Sequence, residues 1–263
     1  MRIATNNQIR GAAKLAKKES RSETGLFLLE GSQGLKEVLD RPKLVVEIFC
    51  TPEAAVKYSD LIERAEAARL PVLEVTEAQL KTIADTNTPQ GIVTVCHQVH
   101  VELAEVLSQK PKLIALLTQI RDPGNAGTVL RAADAAGADV VIFTKNSVDA
   151  YNPKVVRSTT GSLFHLPLVL DVEVDDVVAA CREAGMQVFG ASAEGVEVSK
   201  LDAKTLASPT VWMLGNEAWG FEPGVLELAD QTVAVPIYGA AESLNLATAA
   251  SICLYASAFA QNA

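Results

Sequence analysis

The sequence predicts an α/β protein whose larger, carboxyl-terminal part is a parallel sheet covered by helices on both faces. Three observations carry this reading. Runs that are apolar nearly throughout, "KLIALLTQI", "ADVVIFT", "MQVFGAS" and "TVWMLG", alternate with helical patterns, and a parallel sheet needs strands buried on both sides. The amino-terminal part repeats the alternation on a smaller scale. Three of the later strands end in unusually polar, glycine-rich turns, at the place where parallel α/β sheets form their ligand crevice.

The elements follow in order. "NQIRGAAKLAKK" has helical spacing, while "GLFLLEG" and "KLVVEIFC" read as strands bounded by charge or proline. "TPEAAVKYSDLIERAEAARL" reads as one helix, with Thr51 as N-cap, Pro52 in the first helical position and Glu53 behind it. "PVLEVT" is a short strand, "EAQLKTIAD" a helix and "GIVTVCH" a strand rich in β-branched residues. These make an α/β domain over residues 1–99, followed by a linker with a short helix over 100–111 and a second domain over 112–263. In that domain "DVEVDDVVAACREAG" is a helix stopped by Gly185, "QTVAVPI" is a buried strand, and the chain closes on a helix over about 242–260.

Composition narrows the function classes. The chain has 263 residues, is 49% hydrophobic and 21% charged, and carries a formal net charge of −9. That balance works against nucleic acid as a partner, unless a basic face is local. The amino end offers one: residues 1–23 hold Arg2, Arg10, Lys14, Lys17, Lys18 and Arg21 against only Glu19 and Glu23. Cys50, Cys96, Cys181 and Cys253 are far apart, which suits a reducing, cytoplasmic interior better than disulfides or a metal site. His97 and His100 read as strand-end residues without partners for a zinc set, so no metal is expected. Basic and polar residues fill the first 24 positions, unlike a signal peptide, and the uncharged stretch 243–263 is too mixed for a membrane span.

The three turns are "QIRDPGNAG" (119–127), "LGNEAWGF" (214–221) and "PIYGAAESLN" (236–245). Each pairs glycine, which admits a ligand close to the backbone, with hydrogen-bonding side chains: Asn125, Glu217, Ser243 and Asn245. Gly215 and Gly239 are expected to be glycine for steric reasons. No Gly-Lys-Ser/Thr follows the first turn, so it is not a Walker loop. It does not fit G-x-G-x-x-G either, which leaves a dinucleotide-dependent oxidoreductase weakly supported. No G-x-S-x-G elbow is present.

"DPGNAGTVLRAADAAG", "VWMLGNEAWGF" and "VAVPIYGAAESLNLATAASICLY" resemble, in order and spacing, the three signature motifs of the SpoU (TrmH) family of RNA 2′-O-ribose methyltransferases, within the SPOUT superfamily. "YNPKVVRSTTGSLFHLPL" resembles the family's stretch between the first two motifs. The amino half, with "GLFLLEGSQGLKEVL", is similar to the small α/β substrate-binding domain of many members, whose fold recurs in ribosomal proteins. Motif two departs from the family at Asn216 and at Ala218-Trp219, where relatives often carry small or glycine residues.

The resemblance implies a catalytic half folded into a deep trefoil knot, a rarity among proteins, and S-adenosylmethionine as cofactor, held largely by backbone. Leu214, Gly215, Asn216, Gly220, Val235, Pro236, Ile237, Leu244 and Asn245 would form its pocket. Arg131, Asn125, Glu217, Ser243 and Asn245 would be the catalytic set. The reaction is an in-line attack of a ribose 2′-oxygen on the sulfonium methyl. Arginine stays protonated in nearly every setting and is a poor base. Arg131 is therefore expected to bind the adjacent phosphate and to stabilise negative charge on the 2′-oxygen. Asn125 reads as an N-cap, and the resemblance adds a substrate-positioning role near Arg131 that is compatible with it, while Glu217 reads as a cap or as the partner of an arginine. One of Ser243 and Asn245 caps the last helix. Arg157 suits a phosphate contact, and Lys14, Lys17 and Lys18 the RNA-binding face.

The last helix has no charged side chain after Glu242. Such a helix is either buried on most faces or exposes an apolar patch fit for an oligomer interface, and relatives are homodimers built around this region. The leading expectation is methylation of ribosomal RNA of the 23S type. A transfer-RNA methyltransferase and a non-catalytic RNA-binding module that kept the knot are the alternatives.

Overall fold

The computed structural model describes residues 1–263. It divides into two units, one of residues 1–98 with 151–164, the other of 99–150 with 165–263.

The first unit runs β1 (Arg2–Ile3), α1 (Asn6–Lys14), α2 (Lys18–Thr24), β2 (Leu26–Glu30), α3 (Gly31–Val38), β3 (Val45–Cys50), α4 (Pro52–Lys57), α5 (Ser59–Ala67), β4 (Val72–Glu74), α6 (Glu77–Ile83) and β5 (Ile92–His97). Its five-stranded mixed sheet has the order β1-β4-β3-β5-β2, with β5 antiparallel to both neighbours. Ile9, Ala12 and Leu15 from the first helix, and Leu80 and Ile83 from α6, pack on Leu28, Phe49, Leu73 and Val93 of the strands. The basic amino end is not all available to a partner. Arg21 is buried and its Nη1 donates to the carbonyls of Leu15 and Ala16, at 2.8 and 2.9 Å, clasping the α1–α2 turn. Lys14, Lys17 and Lys18 are exposed.

The stretch expected as one helix after Thr51 is two. Thr51 does cap α4, accepting from the Ala54 amide. Tyr58 then leaves helical geometry (φ −120°, ψ 39°), and its carbonyl restarts the ladder by accepting from Leu61 and Ile62. Ser59 and Asp60 favour helix starts over helix interiors, which accounts for the break.

The second unit runs α7 (Leu103–Ser108), β6 (Leu113–Leu117), α8 (Pro123–Ala135), β7 (Val140–Thr144), then, after α9 (Pro153–Ser158) of the 151–164 segment, β8 (Leu168–Val172), α10 (Val174–Glu183), β9 (Gln187–Glu197), α11 (Ala203–Ala207), β10 (Thr210–Leu214), β11 (Gln231–Ala234) and α12 (Leu246–Gln261). Its six strands pair in parallel in the order β11-β9-β10-β6-β7-β8. All five residues of β6 are buried, as are those of β7 and β10, so both faces are covered. Val106 of α7 and Val177, Val178 and Cys181 of α10 join Ile114, Leu116, Val211 and Met213 on one face. On the other face Trp212 donates from Nε1 to Ser257 Oγ of α12 at 3.0 Å, as the two-residue alternation of a strand requires.

An uninterrupted second domain over 112–263 is not what the contacts give. Tyr151 and Phe164, each 1% exposed, pack their rings on Phe27 of β2 at 5.0 and 6.2 Å. That aromatic cluster ties 151–164 to the first unit. The last helix also starts later than expected, at Leu246, because Asn245 caps it and fixes the boundary. The strand expected as "QTVAVPI" ends at Ala234, since Pro236 has no amide to give to a ladder.

Candidate active site

The polar turns after β6, β10 and β11 meet at the carboxyl edge of the parallel sheet, around a cavity of about 390 Å³. In the first turn Asp122, not Asn125, is the N-cap of α8: its carboxylate accepts from the Asn125 amide at 2.7 Å, with Pro123 in the first helical position. The Asn125 side chain is thereby free for other work. Its Nδ2 donates to Glu217 Oε1 at 3.1 Å, and its Oδ1 accepts from Asn245 Nδ2 at 2.9 Å. One amide thus joins all three turns. Asn245 is also the cap of α12, with Oδ1 accepting from the amides of Ala247 and Thr248. Of the two candidates for that cap, Ser243 is left to line the cavity.

The second turn is tight. The amides and carbonyls of Asn216 and Gly220 bond reciprocally, at 2.6 and 2.9 Å. Gly220 takes φ +71°, where glycine is at ease. A Cβ on Gly215 would sit 2.8 Å from the Gly220 carbonyl group, so glycine is required there. Gly239 does not share that reason: a Cβ on it meets nothing within 4 Å. Asn216 is buried; its Nδ2 donates to the Gln119 carbonyl and its Oδ1 accepts from the Ala218 amide. That ties the second turn to the first. Glu217 is neither a helix cap nor ion-paired to an arginine; it receives Asn125.

Of the expected pocket residues, Leu214, Gly215, Asn216, Gly220, Val235, Ile237, Leu244 and Asn245 line the cavity, as do Asn125, Glu217 and Ser243. Pro236 does not line it. The reading of the turns missed Ala191, Ser192 and Ala193, which form a wall. Between Thr232 and Val233 the β9–β11 register jumps from Gly190 to Val196, so this part of β9 bulges away from its partner. The signal was the run of small residues "GASAEG" at the end of a strand in a crevice-forming sheet.

Arg131 lies six residues beyond Asn125 on α8, about 9 Å along the axis. It is exposed. Arg121, also exposed, places its guanidinium carbon 5.3 Å from the centre of the Trp219 ring. Arg157 belongs to the first unit, where its Nη1 is 3.0 Å from Asp85 and 4.0 Å from Glu30. A guanidinium already held by two carboxylates is poorly suited to the phosphate contact expected of it.

Backbone glycine contacts, an apolar wall and a rim of amides and one carboxylate are a fit for a compact nucleoside cofactor of mixed polarity, in the size range of ligand pockets. Residues 112–255 match the SpoU rRNA Methylase family, and residues 6–94 match the MRM3-like substrate binding domain. The chain is 35% identical over 259 residues to the 23S rRNA (guanosine(2553)-2′-O)-methyltransferase RlmP of Bacillus subtilis, covering 96% of each. It is 32% identical to the 23S rRNA (uridine(2479)-2′-O)-methyltransferase of Streptomyces viridochromogenes, over 92% of this chain and 86% of that one. Among solved structures, the AdoMet-bound rRNA methyltransferase of Sinorhizobium meliloti superposes with a TM-score of 0.83 at 30% identity, over 98% of this chain and 96% of that one. The chain that carries this crevice of three joined turns belongs to the SpoU rRNA methylase family.

Proposed function

We propose that this protein transfers a methyl group from S-adenosylmethionine to a ribose 2′-hydroxyl of ribosomal RNA, of the 23S type. The observation that carries the reading is the Asn125 side chain, which links Glu217 and Asn245 at the mouth of the glycine-walled cavity. The bound cofactor supplies an electrophilic methyl on a sulfonium. Leu214, Gly215, Asn216, Gly220, Val235, Ile237 and Leu244 hold it, with Pro236 shaping the loop. Asn125, Glu217, Ser243 and Asn245 fix the edge at which the ribose must lie in line with that methyl. Arg131 binds the neighbouring phosphate and stabilises charge building on the 2′-oxygen. S-adenosylmethionine would supply the methyl and keep its sulfur as a neutral thioether, while the 2′-hydroxyl proton would leave to water or phosphate.

Residues 1–99 serve as the RNA-binding domain, of a fold kin to ribosomal proteins, with Lys14, Lys17 and Lys18 on its RNA face. Residues 112–150 with 165–263 form the methylase domain, whose chain is threaded as a trefoil knot. Its last helix leaves Ile252 and Phe259 exposed, at 38% and 71%, with the Tyr255 ring tilted by 51° against that of Phe259 at 5.3 Å. A second copy covers this face in a homodimer. No helix is long and apolar enough to cross a membrane, and the enzyme works in the cytoplasm.

Labelled methyl transfer to fractionated large ribosomal, small ribosomal and transfer RNA tests the reading, with Arg131→Ala alongside. Label in large ribosomal RNA, lost in the variant while cofactor affinity is kept, is the expected result. Label confined to transfer RNA, or no cofactor binding, overturns it.

A further inference from the structure

Trp219 is out of place by ordinary packing rules. Trp212, in the neighbouring strand, is fully buried, whereas Trp219 is 49% exposed, although tryptophan is on average among the more buried residues. It stands at the tip of the second turn, two positions from Glu217, so roughly 7 Å of chain separates it from the methylase constellation. It does not line the cofactor cavity. It faces the other way, edging a notch of about 40 Å³ over the ends of β6 and β7, with Gln119, Thr144, Lys145, Asn146, Glu173 and Glu222, where the Lys145 ammonium is paired with Glu173 at 2.8 Å. The turn thus has two sides: Glu217 borders the cavity of about 390 Å³, Trp219 borders the notch, and Gly220 lies between them and lines both.

Arg121 holds the indole. Its guanidinium carbon is 5.3 Å from the ring centre, within the range of cation–π attraction. Arg121 has no carboxylate partner in a chain with 32 acidic and 23 basic side chains. Its charge is therefore available to a phosphate while its guanidinium carbon stays within cation–π reach of the ring. Aromatic faces and arginine planes beside a positive charge are the surfaces on which unstacked nucleobases are held. Gln119 and Asn146 take positive φ (+52° and +63°), left-handed backbone on non-glycine residues beside the same notch. Such strain gathers at sites that position ligands.

We propose that Trp219, backed by Arg121, is a stacking shelf for an unpaired nucleobase next to the methylated ribose. The inference rests on the RNA-methylase reading and deepens it: the preferred substrate has an unpaired base beside its target, and Trp219 helps choose it. Stacking accepts any base, so the shelf selects single-stranded character rather than sequence.

The protein has two tryptophans, and Trp212 is buried under Ser257, so emission changes on RNA binding report Trp219. Titration with a short single-stranded oligoadenylate is expected to quench part of the emission, and the quenchable part is expected to vanish in Trp219→Phe. Trp219→Ala should raise KM for deproteinised large-subunit RNA by about tenfold or more, the scale of one lost base stack. Its kcat and cofactor Kd should stay within about twofold, while Trp219→Phe should recover most of the KM loss. Methyl transfer that proceeds with no quenching, or with KM unchanged in Trp219→Ala, overturns the shelf and leaves the function standing. Quenching by oligoadenylate without transfer to any RNA upholds the shelf and overturns the assigned reaction.

Discussion

Asn245 donates from Nδ2 to Oδ1 of Asn125 at 2.9 Å, across 120 positions of sequence. The same Asn245 caps α12 with its own Oδ1. Asn125 caps nothing, since Asp122 has that task. The two amides face each other but differ in what depends on them.

The difference is measurable. Asn125→Ala should leave thermal stability within about 1 °C and lower kcat by about 100-fold, the scale of a misaligned reacting group. Asn245→Ala should lose kcat and also about 1 kcal/mol of stability with the cap, a fall in Tm of about 2–4 °C. Calorimetry beside methyl-transfer kinetics separates them; equal Tm losses would deny the division of roles.

Gly215 and Gly239 form a second contrast. Gly215→Ala must push the Gly220 carbonyl out of its 2.8 Å approach, opening the turn that walls the cavity. Cofactor affinity should drop about tenfold or more, in line with overpacking costs of 1–3 kcal/mol. Gly239→Ala meets open space and should bind cofactor as the unsubstituted protein does. Isothermal titration decides between the two.

The exposed lysines and Arg157 have different expected signatures. Replacing Lys14, Lys17 and Lys18 by Gln should weaken RNA binding, and the slope of log affinity against log salt should shrink by roughly 2–3 if each meets a phosphate. Arg157→Ala should leave that slope alone and loosen the 85–90 loop. Glu30 accepts there from the Asp85 and Thr86 amides and the Thr86 hydroxyl, and Arg157 helps to neutralise Glu30 and Asp85. Binding measured across a salt series, with proteolysis of the loop, tells the two apart.

Burial pushes the Cys50 and Cys181 thiols up to about 11 and that of Cys253 to about 12, from an ordinary 9.0. The folded state then holds protons that the unfolded chain has released, so stability is fully present below pH 9 and falls as pH rises through the folded values. Denaturant titrations at about pH 8 and about pH 10 should show this loss, and Cys181→Ala should show a smaller one. The same slope in both proteins would remove burial of this thiol as its cause.

Much of this was legible in the residues, because it was written locally. Apolar strands such as "KLIALL" can only be buried on both faces, and the Asp-Pro-Gly-Asn turn announces a helix start beside a crevice. The strand β8 was not legible: its charged Asp171 takes φ +62° and breaks the pattern at the edge of the sheet. The cap of α8 was misassigned because Asp122 and Asn125 both have capping chemistry, and only the fold brings Glu217 and Asn245 to the second of them. Arg157 looked like a phosphate ligand for the same reason. Its partners, Glu30 and Asp85, are separated from it by long stretches of chain, and charge in sequence does not say which charges will meet.

The single amide that joins three turns has a consequence for how the site opens. Hydrogen exchange in proteins proceeds through cooperative units, and here the turns after β6, β10 and β11 are tied into one by Asn125 and Asn216. Opening one of them breaks bonds to the others. On the proposed function, the pocket for the cofactor and the groups that position the ribose are expected to form and dissolve together, and a ligand that closes one is expected to close both.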